Sequence, residues 1–217
     1  MCVAVSWSGG KDSTLALDRA SRDGYEITHL INIYEGVSGL VRFHGVRHDL
    51  IRNQAKSLGI ELVQRHTHPD DYETVLCSVL AELKNDGVEG IVFGNIHLAD
   101  IRAWLEERVI DSGLEHVEPL WGDDPTNLVH EFIDRGYAST IVGIDLSWAD
   151  PDWLGARFDR QFLTAVRSMP DVDVCGERGE YHSFVSDGPL FRYPISFSID
   201  GTGEIDGHRH LQLSPSE

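Results

Sequence analysis

Short apolar segments alternate with amphipathic ones through the first 121 or so residues of the chain. The apolar segments have the length and composition of buried strands and cover residues 3–7, 27–33, 60–64, 90–94 and 116–118. Helical spacing lies between them, at residues 14–20, 47–58, 76–83 and 102–112. The third predicted helix has a single apolar face made by Leu76, Val79, Leu80 and Leu83. This alternation predicts a Rossmann-like α/β fold, a parallel sheet with helices on both faces.

The pattern changes after Pro119-Leu120-Trp121, where residues 122–125 have the composition of a turn. Beyond it we expect helices at 127–135 and 156–167, a strand at 140–144, and short strands with glycine turns from Val172 onward. We therefore predict two domains, a parallel α/β domain over residues 1–121 and a smaller C-terminal α+β domain over residues 122–217.

The first predicted strand runs directly into residues 8–13, with the sequence SGGKDS, and a predicted helix follows. Two glycines let the backbone bend sharply and approach an anion, and the helix N-terminus offers unpaired amides. Lys11 supplies a point charge for phosphates, while Asp12 is suited to bind magnesium or to cap the helix. A Walker A loop would need glycine where Val5 stands. The segment therefore predicts a polyphosphate-binding loop of another type.

Charge and composition argue against nucleic-acid binding, membrane association and a cysteine-based metal or redox site. The chain has 18 basic and 36 acidic residues, a net charge of -18, so its surface repels a phosphate backbone and we expect no nucleic-acid partner. No apolar run is long enough to span a bilayer, and the N-terminus has no signal-peptide pattern. We expect no membrane association and a cytoplasmic location. The three cysteines are too far apart in sequence to form a metal or redox motif.

The SGGKDS loop resembles that of the PP-loop ATP pyrophosphatases, also called adenine nucleotide alpha hydrolases (PP-loop/HUP type). That family cleaves ATP between the α and β phosphates. Further segments resemble the diphthine–ammonia ligase family in particular. The first is Phe43-His44-Gly45 together with residues 54–60. The second is residues 87–96 together with Arg102, Glu106 and residues 119–121. The third is residues 176–185, which continues into residues 187–191.

The resemblance implies an ATP-dependent ligase that adenylates a carboxylate, the diphthine of elongation factor 2 or a related acid, and then amidates it with ammonia. It implies ATP and Mg²⁺ as cofactors, ATP and ammonia as small-molecule partners, elongation factor 2 as a protein substrate, and a possible homodimer. The implied ATP-binding residues are Ser8, Gly9, Gly10, Lys11, Asp12, Ser13, Asn32, Gly94 and Asn95. The implied catalytic residues are Lys11, Asp12, Glu177, Glu180 and His182. The implied substrate-binding residues are His44, Arg102 and Tyr181, and the implied metal ligand is Asp12.

The chain departs from the family pattern on the substrate side. Arg178 and His182 replace the second and last residues of the motif Glu-Gly-Gly-Glu-aromatic-Glu, and Asn95 stands where the family usually has Asp. Each assignment has a plainer alternative. Glu177 and Glu180 could be solvated turn carboxylates, His44 an ordinary loop histidine, and Arg102 a surface partner of Glu106.

Two other function classes remain open from the sequence. One is a PP-loop enzyme that modifies tRNA, although such enzymes typically carry catalytic cysteines or a basic appendage. The other is a regulatory module that binds ATP without cleaving it. A metal cluster is a weaker hypothesis for two sets of side chains, the first in a loop and the second on a strand: His66, His68, Asp70 and Asp71, and His208 with His210.

Overall fold

The computed structural model describes residues 1–41, 44–205 and 207–216. Phe43, part of the first of the segments that resemble the ligase family, lies outside the described residues. Five parallel strands form the first sheet in the order β3-β2-β1-β4-β5. Their bounds are β1 Cys2–Ser6, β2 Glu26–Glu35, β3 Glu61–Thr67, β4 Gly90–Val92 and β5 Glu115–Val117. The predicted alternation is confirmed.

Two pairs of helices cover the two faces of this sheet. Their bounds are α1 Lys11–Arg22, α2 His48–Leu58, α3 Tyr72–Asn85 and α4 Ala99–Asp111. Apolar side chains of α1 and α2 pack in one cluster, and those of α3 and α4 pack in a second cluster across the sheet. All four apolar positions of the predicted third helix face are buried there. Gly59 ends α2 in the left-handed conformation, with φ of 71°.

An antiparallel sheet in the order β7-β6-β9-β8 forms the C-terminal part. Its elements are α5 Pro125–Asp134, β6 Ala138–Asp145, α6 Arg160–Arg167, β7 Tyr181–Asp187, β8 Phe197–Ile205 and β9 His208–Pro215. The helix predicted to begin at residue 156 begins at Arg160, because the carboxylate of Asp159 accepts hydrogen bonds from the amides of Gln161 and Phe162. The last two strands are longer than predicted, since a hairpin pairs them along their length.

One apolar cluster joins the two parts. It contains Leu15 of α1 and Leu50 of α2 together with Phe184 of β7 and Leu213 of β9. The predicted fold class, a Rossmann-like parallel sheet with a smaller α+β part, is confirmed by this topology. The division at residues 121 and 122 stays a prediction. Within the described ranges, no helix combines the length and the apolar character that a membrane span requires.

Candidate functional site

A cleft opens where the strands β1, β2 and β4 end, the edge at which open parallel sheets bind ligands. Its polar half is a cavity of about 250 Å³ whose walls include Ser8, Lys11, Asp12, Ser13, Asn95 and Glu177. The adjoining cavity, of about 370 Å³, has a more apolar wall that includes Trp7, Ile31, Ile33, Val41 and Trp104. The two cavities share several lining residues, His44 and His182 among them, so they form one continuous cleft.

The SGGKDS loop is held in place by side chains and strands outside it. Gly9 has φ of 81°, and a Cβ there would lie 2.5 Å from Oε1 of Gln54, so only glycine fits. The buried amide of Gln54 donates hydrogen bonds to the carbonyl oxygens of Gly9 (3.0 Å) and Val185 (2.6 Å). Its Oε1 accepts from Nε1 of Trp7 at 2.9 Å. The loop is therefore fixed against both α2 and β7.

The N-terminus of α1 also contacts its surroundings closely. The amide of Lys11 donates to Oγ of Ser183 at 3.1 Å, and Oγ of Ser13 donates to the carbonyl of Gly10 at 3.1 Å. A Cβ on Gly94 would lie 2.8 Å from the carbonyl carbon of Asp12. Gly94 therefore lets the end of β4 approach the first turn of α1, where unpaired amides and the helix dipole favour an anion.

Lys11 lies in the polar cavity wall and is buried. Its Nζ donates to Oδ2 of Asp12 at 2.8 Å and to the carbonyl of Cys175, and lies 5.1 Å from the ring centre of Tyr181. Burial lowers the pKa of the Lys11 ammonium, but the Asp12 carboxylate and neighbouring groups outweigh it, so its pKa lies above the ordinary value. Lys11 is thus a fixed positive charge in the cleft.

Carboxylates gather beside Lys11. Burial raises the pKa of the Asp12 carboxyl, although Lys11 opposes the rise. The Glu177 carboxylate accepts hydrogen bonds from the amides of Ile96 (2.5 Å) and His97 (2.9 Å), and burial raises its pKa against their opposing effect. The imidazole of His97 bridges two carboxylates, with Nδ1 2.9 Å from Glu177 and Nε2 2.8 Å from Asp173.

His97, Asp173 and Glu177 also form a group of potential metal ligands, since their ligand atoms lie within 4.8 Å of one another. It is the group of this kind found among the described residues. The sequence also suggested a metal cluster in the loop after β3, made by His66, His68, Asp70 and Asp71. In the part of the chain that the structure describes, these four side chains do not form such a group. The same holds for His208 and His210, which lie on β9. Asp12 offers the simpler magnesium ligand, because its carboxylate is partly exposed in the polar cavity whereas both Glu177 oxygens already have partners.

Two histidine rings pack against each other at a tilt of 42° at the junction of the two cavities. The ring centres of His44 and His182 are 4.6 Å apart. Burial lowers the pKa of His44 to about 4, with Lys11 adding to the effect. Burial also lowers the pKa of His182 well below its ordinary value, helped by His44 and Lys11. Both rings are therefore uncharged near neutral pH.

The two predicted asparagine ligands line opposite halves of the cleft. Asn32 is buried beside the apolar cavity, where Nδ2 donates to the carbonyl of Trp7 at 2.9 Å. Asn95 lines the polar cavity, and its Nδ2 donates to Oε1 of Glu118 at 2.6 Å. Both side chains therefore also brace the strand ends that form the cleft.

Three other predicted site residues occupy different surroundings. Arg102 lines neither cavity; it pairs with Glu118 at 2.9 Å, not with Glu106, and its guanidinium lies 4.6 Å from the Trp121 ring. Tyr181 lines the polar cavity, but its hydroxyl donates to the carbonyl of Val174 at 2.6 Å. Glu180 is buried outside the cavity wall and accepts a hydrogen bond from the amide of Asp173 at 2.7 Å.

Several residues of the site were not predicted from the sequence. Gln54 and Ser183 lie in the segments that resemble the ligase family, yet nothing in their spacing indicated that they hold the loop. His97 and Asp173 are 76 positions apart by their numbers and meet only through the fold. Tyr72 and Trp104, which line the apolar cavity, belong to apolar helix faces that predict only core packing.

The sequence matches two family profiles, described as the diphthamide synthase N-terminal domain over residues 1–116 and the diphthamide synthase C-terminal domain over residues 124–210. A Bos taurus protein described as diphthine–ammonia ligase is 28% identical, with 99% of this chain and 88% of that protein covered. A Homo sapiens protein of the same description is 27% identical, with 90% and 82% covered.

A solved structure from Methanocaldococcus jannaschii, described as a predicted subunit of tRNA methyltransferase, is also similar. It is 20% identical, with a TM-score of 0.47 over 85% of this chain and 96% of that one. A likeness at this level bears on neither fold nor function.

Proposed function

This chain belongs to the diphthamide synthase family and is an ATP-dependent amide-forming ligase; we propose that its acceptor is the carboxylate of diphthine on elongation factor 2. One observation carries the site assignment. The SGGKDS loop puts Lys11 and Asp12 in the wall of a polar cavity that continues into an apolar one. A triphosphate in the first half and an adenosine in the second match that division of the cleft.

The reaction divides into two steps. The acceptor carboxylate attacks the α-phosphorus of ATP, so that an acyl-adenylate forms and pyrophosphate leaves. Ammonia then attacks the acyl carbon, the amide forms, and AMP leaves. Lys11 and the amides at the start of α1 hold the negative charge of the leaving pyrophosphate. Ser8 and Ser13 add hydroxyl groups to the same wall.

We assign Mg²⁺ to the Asp12 carboxylate. The cleft wall already carries the Asp12 and Glu177 carboxylates close to the position proposed for the triphosphate, and these like charges would oppose its binding. A hard divalent cation held by the Asp12 carboxylate would remove that repulsion and would neutralise negative charge on the pyrophosphate. Cytoplasmic location and a homodimer stay predictions.

The first test separates the loop's role from stability. Purified protein is mixed with ATP, ammonium and elongation factor 2 carrying diphthine, and pyrophosphate release is measured. Lys11→Ala and Asp12→Ala should abolish release while circular dichroism shows a folded chain. Lys56→Ala and Asp111→Ala remove the same charges from exposed helix positions and should leave release unchanged. Full activity in both loop variants would refute the assignment.

The second test concerns the acceptor. Deleting the gene should leave elongation factor 2 with diphthine in place of its amide, a difference that mass spectrometry of the intact modified peptide resolves. A tRNA-modifying role instead predicts tight binding of bulk tRNA at moderate salt in a gel shift, and unchanged elongation factor 2. That pair of results would overturn the proposal.

A further inference from the structure

His44 and His182 occupy a special position in the cleft. Among the described residues, they are the imidazoles that line both the polar and the apolar cavity. If the triphosphate lies in the polar cavity and the nucleoside in the apolar one, the α-phosphate lies at this junction. The acyl carbon of the adenylate is bonded to an oxygen of that phosphate, so ammonia must also attack there. This step rests on the proposed function.

The second half-reaction releases a proton that needs an acceptor. Ammonia is largely protonated at neutral pH, and only its uncharged form has the lone pair that attacks carbon. After attack the new nitrogen carries a positive charge, and it becomes an amide nitrogen only by losing a proton as AMP leaves. Acyl-adenylate and ammonia thus give amide, AMP and one proton. A neutral imidazole next to the acyl carbon is suited to take that proton.

His44 has such a nitrogen available. The backbone of Ser183 lies beside its ring and opposes the lowering of its pKa. Its Nδ1 is buried and has no hydrogen-bond partner among residues 1–41, 44–205 and 207–216. A buried polar atom left unpaired costs free energy, and such atoms in native proteins commonly have a functional reason. We propose that His44 is the general base of the amidation step, with His182 as the positioning residue whose ring packs against it.

The charges around the pair support this assignment. Lys11 and the neighbouring imidazoles disfavour a proton on His182, and Lys11 does the same for His44. The carboxylates of Asp12 and Glu177 face the same cavity from the phosphate side. Burial and Lys11 outweigh these carboxylates, so the lone pair of His44 is free before ammonia arrives. Once the anionic adenylate is bound, its phosphate favours the imidazolium that forms when the proton is accepted.

The experiment measures the two half-reactions separately in His44→Gln. Acceptor-dependent pyrophosphate release should stay within about threefold of the unchanged chain, since adenylation does not use this base. Amide formation from ammonium at neutral pH should fall about 10²–10⁴-fold, the usual contribution of a general base. Hydroxylamine should still trap the acyl-adenylate at a near-normal rate, because it is a much weaker base than ammonia and the nitrogen of its adduct loses the proton to water without a general base. The loss with ammonium should shrink as pH rises, because hydroxide then takes the proton of the adduct in place of His44.

A structural role of His44 would instead reduce hydroxylamine trapping and amidation equally at every pH, and that result would overturn the inference. His68→Gln, on an exposed loop histidine, is the matched control. If His44→Gln does not fold, His44→Ala with added imidazole serves the same purpose, because rescue of amidation by imidazole supports a base and its failure opposes one. Absence of pyrophosphate release in the unchanged chain would refute the proposed function itself, a distinct outcome.

Discussion

The amide of Val185 in β7 donates a 2.9 Å hydrogen bond to the carbonyl oxygen of Gly9 in the SGGKDS loop. A strand of the antiparallel sheet thus fixes the conformation of a loop that belongs to the parallel sheet. Ser183, two residues earlier on the same strand, accepts from the amide of Lys11. The anion site that we propose at this loop therefore depends on β7, which also brings His182 to the cleft.

Gln54 completes that connection, and its loss should be costly. Gln54→Leu removes three buried hydrogen bonds, to Trp7, Gly9 and Val185, and leaves the two carbonyls and the indole nitrogen with fewer partners. We expect the free energy of unfolding to fall by about 2–4 kcal/mol and the Kd for ATP to rise. Chemical denaturation and nucleotide titration measure the two effects. Gln161→Leu, at an exposed position, should change neither quantity, and equal effects in both variants would contradict the argument.

The contact between β4 and α1 gives a second prediction. In Gly94→Ala the new Cβ would lie 2.8 Å from the carbonyl carbon and 2.9 Å from the carbonyl oxygen of Asp12, so the first turn of α1 must shift. We expect ATP affinity to fall at least about tenfold and stability to fall by about 1–3 kcal/mol. Isothermal titration and thermal unfolding measure these.

Gly87→Ala is the control for that prediction. Gly87 has φ of 86° and no atom within 4 Å of an added Cβ. Backbone strain should lower its stability by about 1–2 kcal/mol without changing nucleotide affinity. If both variants lost affinity to the same extent, general destabilisation rather than the contact with Asp12 would be the cause.

Local chemistry made much of this architecture predictable. The SGGKDS loop between a strand and a helix, the apolar face from Leu76 to Leu83, and the alternation of elements depend on neighbours in sequence. The surroundings of the cleft depend on distant contacts. Nothing in the pattern around Arg102 distinguishes a partner at Glu106 from one at Glu118, and nothing around Glu180 shows that its carboxylate turns toward Asp173. Such pairings are fixed only when the two sheets pack together.

Burial of His44 predicts an acid-sensitive fold. Its pKa is lowered from 6.5 to about 4, so between these pH values the unfolded chain binds more protons than the folded one. The stability associated with the neutral ring is fully present above pH 6.5 and is lost as pH falls toward about 4, by at most about 3 kcal/mol. His44→Gln should flatten that part of the curve of unfolding free energy against pH. An unchanged slope in the variant would show that other groups cause the acid sensitivity.

Glu180 offers a test that separates catalysis from positioning. Its carboxylate accepts from the amide of Asp173 and so shapes the turn that carries the Cys175 carbonyl to Lys11 and the Glu177 carboxylate to the cavity. Glu180→Ala removes that acceptor, and we expect amide formation to fall at least about tenfold, from the loss of a buried hydrogen bond of about 1–3 kcal/mol. Glu180→Gln keeps an oxygen that can accept from the same amide.

If Glu180 acts by position, Glu180→Gln should retain most of the amidation rate while Glu180→Ala loses it, with ATP binding measured in parallel to show that the loop of residues 8–13 is intact. If the carboxylate instead transfers a proton or binds ammonium, the glutamine variant loses the charge and should be as inactive as the alanine variant. The two variants therefore differ in rate only under the first explanation. Rates that are equally low would place Glu180 among the reacting groups, despite its burial outside the cavity wall.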